Sequence, residues 1–204
     1  MARLMRQQDL GGRAKGRFRV RTTDSDHDQP MAPNRLAQLP APNAPNPIWV
    51  GDITYIPTEE GWLYLAGVRD CYRRRIVGWA RDPNINTQLI LAAWNMAQTQ
   101  RPPAPGLVLH SDRGCQYATA AFRQALAHTP SLPSRSRKAC GYDNAAMESF
   151  GSTLKHKLVY RRSFKTRAQA RQAIFQFIEA SYNRRRSHSS LAYLCPVDFE
   201  NQTN

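Results

Sequence analysis

From Ile48 onward the sequence predicts an α/β domain, and three observations carry that prediction. Three successive runs rich in Val, Ile, Tyr and Trp (IWVGDITYI, WLYLAGVRD and RRIVGWARD) are joined by short connections, the pattern of an antiparallel meander. Helical periodicity follows at 87–100, at 118–128 and again from about residue 143. A short apolar run at 106–110 lies between the first two of these, so a further strand is interleaved with helices.

Residues 1–47 read differently. A possible short helix gives way to a basic, glycine-interrupted strip and then to a Pro/Asn/Ala run ending APNAPNP. Pro33, Pro40, Pro42, Pro45 and Pro47 remove backbone donors and fix φ, so this stretch is expected as an extended linker rather than core. Its basic part is available to phosphate, although a solvated, disordered arm is the plainer reading.

In the first strand, alternation puts Ile48, Val50, Asp52, Thr54 and Ile56 on one face. Asp52 is thus an acid in a β-branched stripe, where an ionised carboxylate costs several kcal/mol unless a cation or donors compensate it. A metal answers that need; a buried Asp satisfied by an arginine or by backbone donors is the structural alternative. Glu59 and Glu60 fall in the TEEG turn and are expected to face solvent. Asp70 and Asp82 close strands, with Asp70 the substitute should Asp52 have another role.

The helix expected at 87–100 gathers Ile90, Ala93, Trp94 and Ala97 on one side and stops before Pro102 and Pro103. Asp112 lies just past the strand at 106–110, at the C-terminal end where α/β sheets commonly present chemistry; Asp is also an ordinary turn former. Phe122, Ala125 and Leu126 mark a short helix against the sheet. Residues 131–141 are read as a brief strand and a mobile loop beside the site.

A helix N-capped by Asp143 is expected to bury Met147, Phe150, Leu154 and Leu158. Glu148 flanks that stripe, with Ser152 and Lys155 further along its own side; taken alone, such a glutamate is most simply a surface residue. Thr166 and Gln169 form a capping-box pattern ahead of a last long helix, whose stripe is Ala170, Ile174, Phe177, Ile178 and Ser181. That helix ends in Arg184, Arg185 and Arg186, with Tyr182 and His188 beside them. The cations suit a DNA backbone and the rings suit stacking, or the cations simply complement the helix dipole. The tail LAYLCPVDF is apolar enough to dock back.

Charge agrees with a polyanionic partner. The 204 residues include 29 basic and 15 acidic ones, a formal +14, and the excess is concentrated after Glu148, with ten basic residues against one acidic at 149–190. A generally basic surface is the blander account of the total. Cys71, Cys115, Cys140 and Cys195 show neither CxxC pairs nor zinc-finger spacing, which argues against zinc and an oxidised framework and for a reducing compartment. No apolar run reaches the roughly twenty residues of a membrane span, and no secretory h-region begins the chain. A soluble, cytoplasmic protein without membrane association is expected.

Several of these segments together carry a resemblance: WVGDITYI, EGWLYLA, RRIVGW, HSDRGCQY, YDNAAMESF, Leu154-Lys155 and YNRRRSHSSLAYLCPVDF, in fixed order over about residues 14–200. The chain resembles bacterial insertion-sequence transposases, in the catalytic subunit encoded by the second reading frame, relatives of retroviral integrases. The resemblance implies a ribonuclease H-like mixed sheet flanked by helices. It implies a DDE triad of Asp52, Asp112 and Glu148, with thirty-five residues between the last two. It also implies a division into a basic N-terminal remnant and linker (1–47) and an integrase-type core with C-terminal helices (48–204).

The implied activity is Mg²⁺-dependent DNA strand cleavage and strand transfer, with Mn²⁺ as substitute. Two ions about 3.5 to 4 Å apart would serve an in-line displacement, Asp52 bridging them. Lys155, Arg184, Arg185, Arg186 and His188 would position DNA. A homo-oligomer on the element ends is implied, with a helper protein from the upstream frame as a possible partner. The chain departs from the family pattern at Arg74 (usually Ser), Arg135 (usually Met), Ala139 (usually Gly) and Lys157 (usually Glu), and Arg135 and Ala139 are expected in the loop over the site. Two other readings compete: a noncatalytic DNA-binding remnant, and a ribonuclease H-like enzyme cutting RNA/DNA hybrids.

Overall fold

The structure is a computed structural model and describes Gln7 and residues 32–40, 42, 44, 47–112, 114–137 and 144–203. Its sheet has five strands in the order β3-β2-β1-β4-β5. The expected meander is present as β1 (Ile48–Thr58), β2 (Gly61–Asp70) and β3 (Ile76–Asp82), all antiparallel; β4 (Val108–Ser111) and β5 (Leu132–Arg135) add in parallel beyond β1. Between them run α1 (Thr87–Gln100), α2 (Cys115–Ala118) and α3 (Ala120–Ala127). After β5 come α4 (Ala145–Lys157), α5 (Arg167–Phe175) and α6 (Pro196–Gln202). Among the described residues no helix is long and apolar enough to cross a membrane.

Alternation along β1 divides the core in two. Ile48, Val50 and Ile56 pack with Met147, Phe150 and Leu154 of α4 and with Ala170 and Ile174 of α5. On the other face, Trp49 joins Ile90, Ala93, Trp94 and Ala97 of α1 and Phe122 and Leu126 of α3. Of the proposed caps, that of Thr166 is present, and Asn86 supplies one beyond those proposed. The Asn86 side chain accepts the Leu89 N–H at 2.9 Å to open α1, and the Thr166 hydroxyl accepts the Gln169 N–H at 3.2 Å to open α5. The Gln169 amide reaches back to the Lys165 N–H at 3.0 Å, one residue ahead of the cap.

Several expectations are corrected. The fourth strand starts two residues late, because Gly106, at φ 85°, occupies the turn that Leu107 closes by donating to Ala104. The stripe of the last helix does not continue to Ser181, which is exposed. After Phe175 the helix widens into a π-helical segment (Gln176–Tyr182), and the extra residue rotates Tyr182 and Asn183 inward instead. Arg135 is not in a loop: it ends β5, buried, and donates to the Gly114 carbonyl at 3.3 Å. Glu60 does more than face solvent, accepting the Arg167 N–H at 2.7 Å at the start of α5. Asp143 and Ala139 lie outside the described residues, and the described N-cap of α4 is Asn144.

Both sheet edges are covered. The Ser134 hydroxyl accepts the N–H groups of Arg35 and Leu36, at 2.9 and 3.2 Å, so this part of the linker docks on β5. On β3, the Asn183 amide pairs with both backbone groups of Ile76 at 3.0 Å, as a neighbouring strand would.

Candidate active site

Register alone brings the first two acids together. β1 and β4 pair in parallel up to Gly51 opposite Ser111, and the next residue on each strand is an aspartate. Neighbouring strands lie about 4.8 Å apart, so Asp112, just past the end of β4, comes beside Asp52 within β1. They line one small cleft of about 10 Å³ with Ile53, Tyr55, Ile85, Gly114 and Gln116. That is room for a single water-sized species.

The third acid comes from α4, and two features of β2 seat that helix. Gly67 is the cross-strand partner of Asp52, and a Cβ there would lie 3.2 Å from the Met147 methyl, so the missing side chain leaves room for Met147 of α4 against the strand. Arg69, buried two residues on, donates to the Ala146 carbonyl. Glu148 follows directly in the first turn, exposed at the rim. Lys155, half-buried, lies two turns further along the same side.

Electrostatics tie the four groups together. The Asp52 carboxyl is pushed up to about 8, first by burial and then by the Asp112 carboxylate. The Ile53 N–H, 2.8 Å away, draws it back, Glu148 pushes it further up, and Lys155 lowers it. Metal-free, burial and the neighbouring carboxylate both favour the protonated form of Asp52. Asp112 accepts the Gly114 N–H at 2.9 Å, which fixes one of its oxygens. The Tyr117 hydroxyl, buried beside both aspartates, is held well above its ordinary value by burial and by their charges, so it stays neutral.

This donor set fits a hard divalent cation: carboxylate oxygens around a small cleft, with repulsion that a cation relieves. Among the described residues, no three His, Cys, Asp or Glu side chains converge as a ready chelating group. Asp52 and Asp112 form the pair, and Glu148 stands back from it.

Asp70, the substitute, has a different task. It is fully buried, bonded to Arg101 at 2.8 Å and to the N–H groups of Tyr72 and Arg73, which makes it a structural acid. Arg184 and Arg185 are exposed and Arg186 half-buried at the end of the last helix. His188 is set apart from them by burial. It is 8% exposed, packed edge-on against Tyr182 at 5.3 Å, and held neutral by a value lowered to about 4 through burial and the charges of Arg186, Arg69 and Arg74. Gly67, Arg69 and Tyr117 are the contributors the sequence reading missed. Of these only Gly67 left a signal, as a lone glycine inside a strand.

A 3-2-1-4-5 mixed sheet with one acid inside its central strand and a second just past the end of the parallel neighbour defines the ribonuclease H-like fold of integrase cores. Family models described as integrase core domain match residues 42–139 and 148–203. The chain is 45% identical over 98% of its length to an insertion element IS600 31 kDa protein of Shigella sonnei, and 42% identical over 94% to the transposase of IS904 from Lactococcus lactis. It is 38% identical over 99% to the InsF transposase of IS3A from Escherichia coli. These matches span 73%, 76% and 70% of those relatives.

Among solved structures, a chain of a simian T-cell lymphotropic virus intasome superposes with TM-score 0.64 at 15% identity, covering 88% of this chain and 61% of that one. The HTLV-2 integrase catalytic core with magnesium, in a trimeric form, gives 0.58 at 12% identity over 77% and 97%. The chain belongs to the integrase core-domain family, as an insertion-sequence transposase.

Proposed function

We propose that the chain cuts and joins DNA by metal-assisted phosphodiester transfer, with Asp52, Asp112 and Glu148 holding Mg²⁺, or Mn²⁺ in its place. The observation that carries this reading is the in-register aspartate pair, Asp52 and Asp112, set side by side by the parallel pairing of β1 and β4. Bound ions would activate a water or a 3′-hydroxyl and stabilise the departing oxygen. Asp52 and Asp112, the latter oriented by the Gly114 N–H, would supply the paired carboxylates to such ions, and Glu148 would add a ligand from the rim. Lys155 offers its ammonium to a phosphate beside the acids, and Arg184, Arg185 and Arg186 add backbone affinity without sequence choice. Neutral Tyr117 packs behind the two aspartates. Joining two DNA ends calls for more than one copy of the chain, and a helper protein is a further partner consistent with this work in the cytoplasm.

The test is nicking and joining of labelled element-end duplexes. Activity is expected with Mg²⁺ or Mn²⁺, none with EDTA, and a loss of at least about a hundredfold for Asp112→Asn. Cleavage that persists in EDTA or survives Asp112→Asn sinks the proposal. The exposed stance of Glu148 favours one second reading, a DNA-binding remnant that does not cut; it predicts salt-sensitive binding without cleavage in either metal. Preference for an RNA/DNA hybrid over duplex DNA would redirect the chemistry to RNA.

A further inference from the structure

α4 has two working flanks. One carries Glu148 and Lys155; the other, across the buried stripe of Met147, Phe150 and Leu154, carries Thr153 and Lys157 one turn apart. On that second flank an open cleft of about 380 Å³ brings Lys157 together with Arg185 and Arg186, and with the hydroxyls of Thr153, Ser181 and Ser187. No described residue lining it is acidic. Lys157, Arg185 and Ser187 are exposed, while the Arg186 Nε is buried with no acceptor.

We infer that this cleft seats the phosphodiester backbone of DNA, on a stretch other than the scissile phosphate; the inference rests on the DNA reading above. Forked guanidinium donors and an ammonium, supplemented by the hydroxyls of Ser181 and Ser187, match tetrahedral phosphate oxygens; the Thr153 hydroxyl is already donated to the Ser149 carbonyl at 2.9 Å. A helix with its side chains is about 10–12 Å wide, so one phosphate does not reach both flanks of α4. The π-helical segment makes the cleft: its extra residue sends Tyr182 inward as the floor, 2% exposed, and leaves Ser181 and Arg185 outside. Asn183, bonded twice to Ile76, fixes the end of that helix, so the cations sit on a held element. An acidic protein segment is the rival occupant. It is disfavoured because apart from that floor only half-buried Phe177 offers apolar surface for docking side chains.

The full chain is titrated, in EDTA, with a fluorescent duplex, and anisotropy is read at several salt concentrations, so catalysis plays no part. Lys157→Gln and Arg185→Gln are each expected to lower the slope of log K against log salt by about 0.9 and to weaken binding roughly tenfold near 0.1 M salt. Both side chains are exposed; unchanged thermal midpoints would verify folding. Arg162→Gln, an exposed cation away from the cleft, is the control and should change affinity less than twofold. Slopes unchanged in both cleft variants, or an equal loss in Arg162→Gln, would overturn the site while leaving the DNA reading intact. No DNA binding by the unaltered chain would remove both. Polyglutamate that displaces DNA at equal charge, through an affinity lost in the same two variants, would hand the cleft to an acidic protein.

Discussion

His188 and Asp52 show how one kind of perturbation, burial beside like charge, acts in opposite directions on two residues. Asp52 is raised and so favours the proton; His188 is lowered to about 4 and so refuses it. In the unfolded chain His188 titrates near 6.5. Its folded-state value is depressed, so the neutral ring's contribution is present above about 6.5 and is lost as pH falls through about 4. His188→Phe keeps a ring against Tyr182 and removes the titration. The variant is expected to lose less stability than the parent between pH 6.5 and 4, read as urea midpoints. Parallel pH profiles would show that the ring is not the buried, neutral group described.

At the scale of elements, α4 is the part on which the site depends. The sequence made its buried face legible, because Met147, Phe150 and Leu154 recur at helical spacing and the acids stand out against apolar surroundings. It made the meander and the Thr166 cap legible for the same reason: each is a local pattern. What holds α4 over Asp52 is not local. Gly67 and Arg69 act across some eighty residues of chain, on Met147 and Ala146, and nothing in LYLAGVRD says which helix will arrive. The π-helical segment is hidden too, since a one-residue shift of phase needs the packed neighbours to select it. Gly67→Val tests the seating. The added Cβ meets the Met147 methyl, and the branched carbons beyond it push α4 outward. Strand transfer should fall at least tenfold, while stability falls by about 1–3 kcal/mol. Full activity in the folded variant would show that Glu148 does not depend on this contact.

For the whole molecule, the question is what joins the C-terminal segment to the sheet. Glu200, on α6, accepts from Arg73 at 2.9 Å, from Arg75 at 2.5 Å and from Arg101, while Arg101 also bonds Asp70 at 2.8 Å. Two acids thus hold three arginines that come from the β2–β3 turn and the end of α1. Burial by itself would raise the Glu200 carboxyl, yet the Arg75 hydrogen bond and the charges of Arg101, Arg75 and Arg73 bring it below its ordinary value. A network of this kind stabilises modestly when complete and costs heavily when broken, because removing one partner leaves buried charge uncompensated. Glu200→Ala would leave Arg73 and Arg75 without this carboxylate, with only Arg101 still bonded to Asp70, and would release α6 from the sheet. The expected loss is about 3–5 kcal/mol by urea denaturation. A further Arg75→Ala change should recover part of it by relieving the repulsion. A cost below about 1 kcal/mol would mean that solvent screens these charges as it does a surface pair, and that α6 is held by apolar contacts alone.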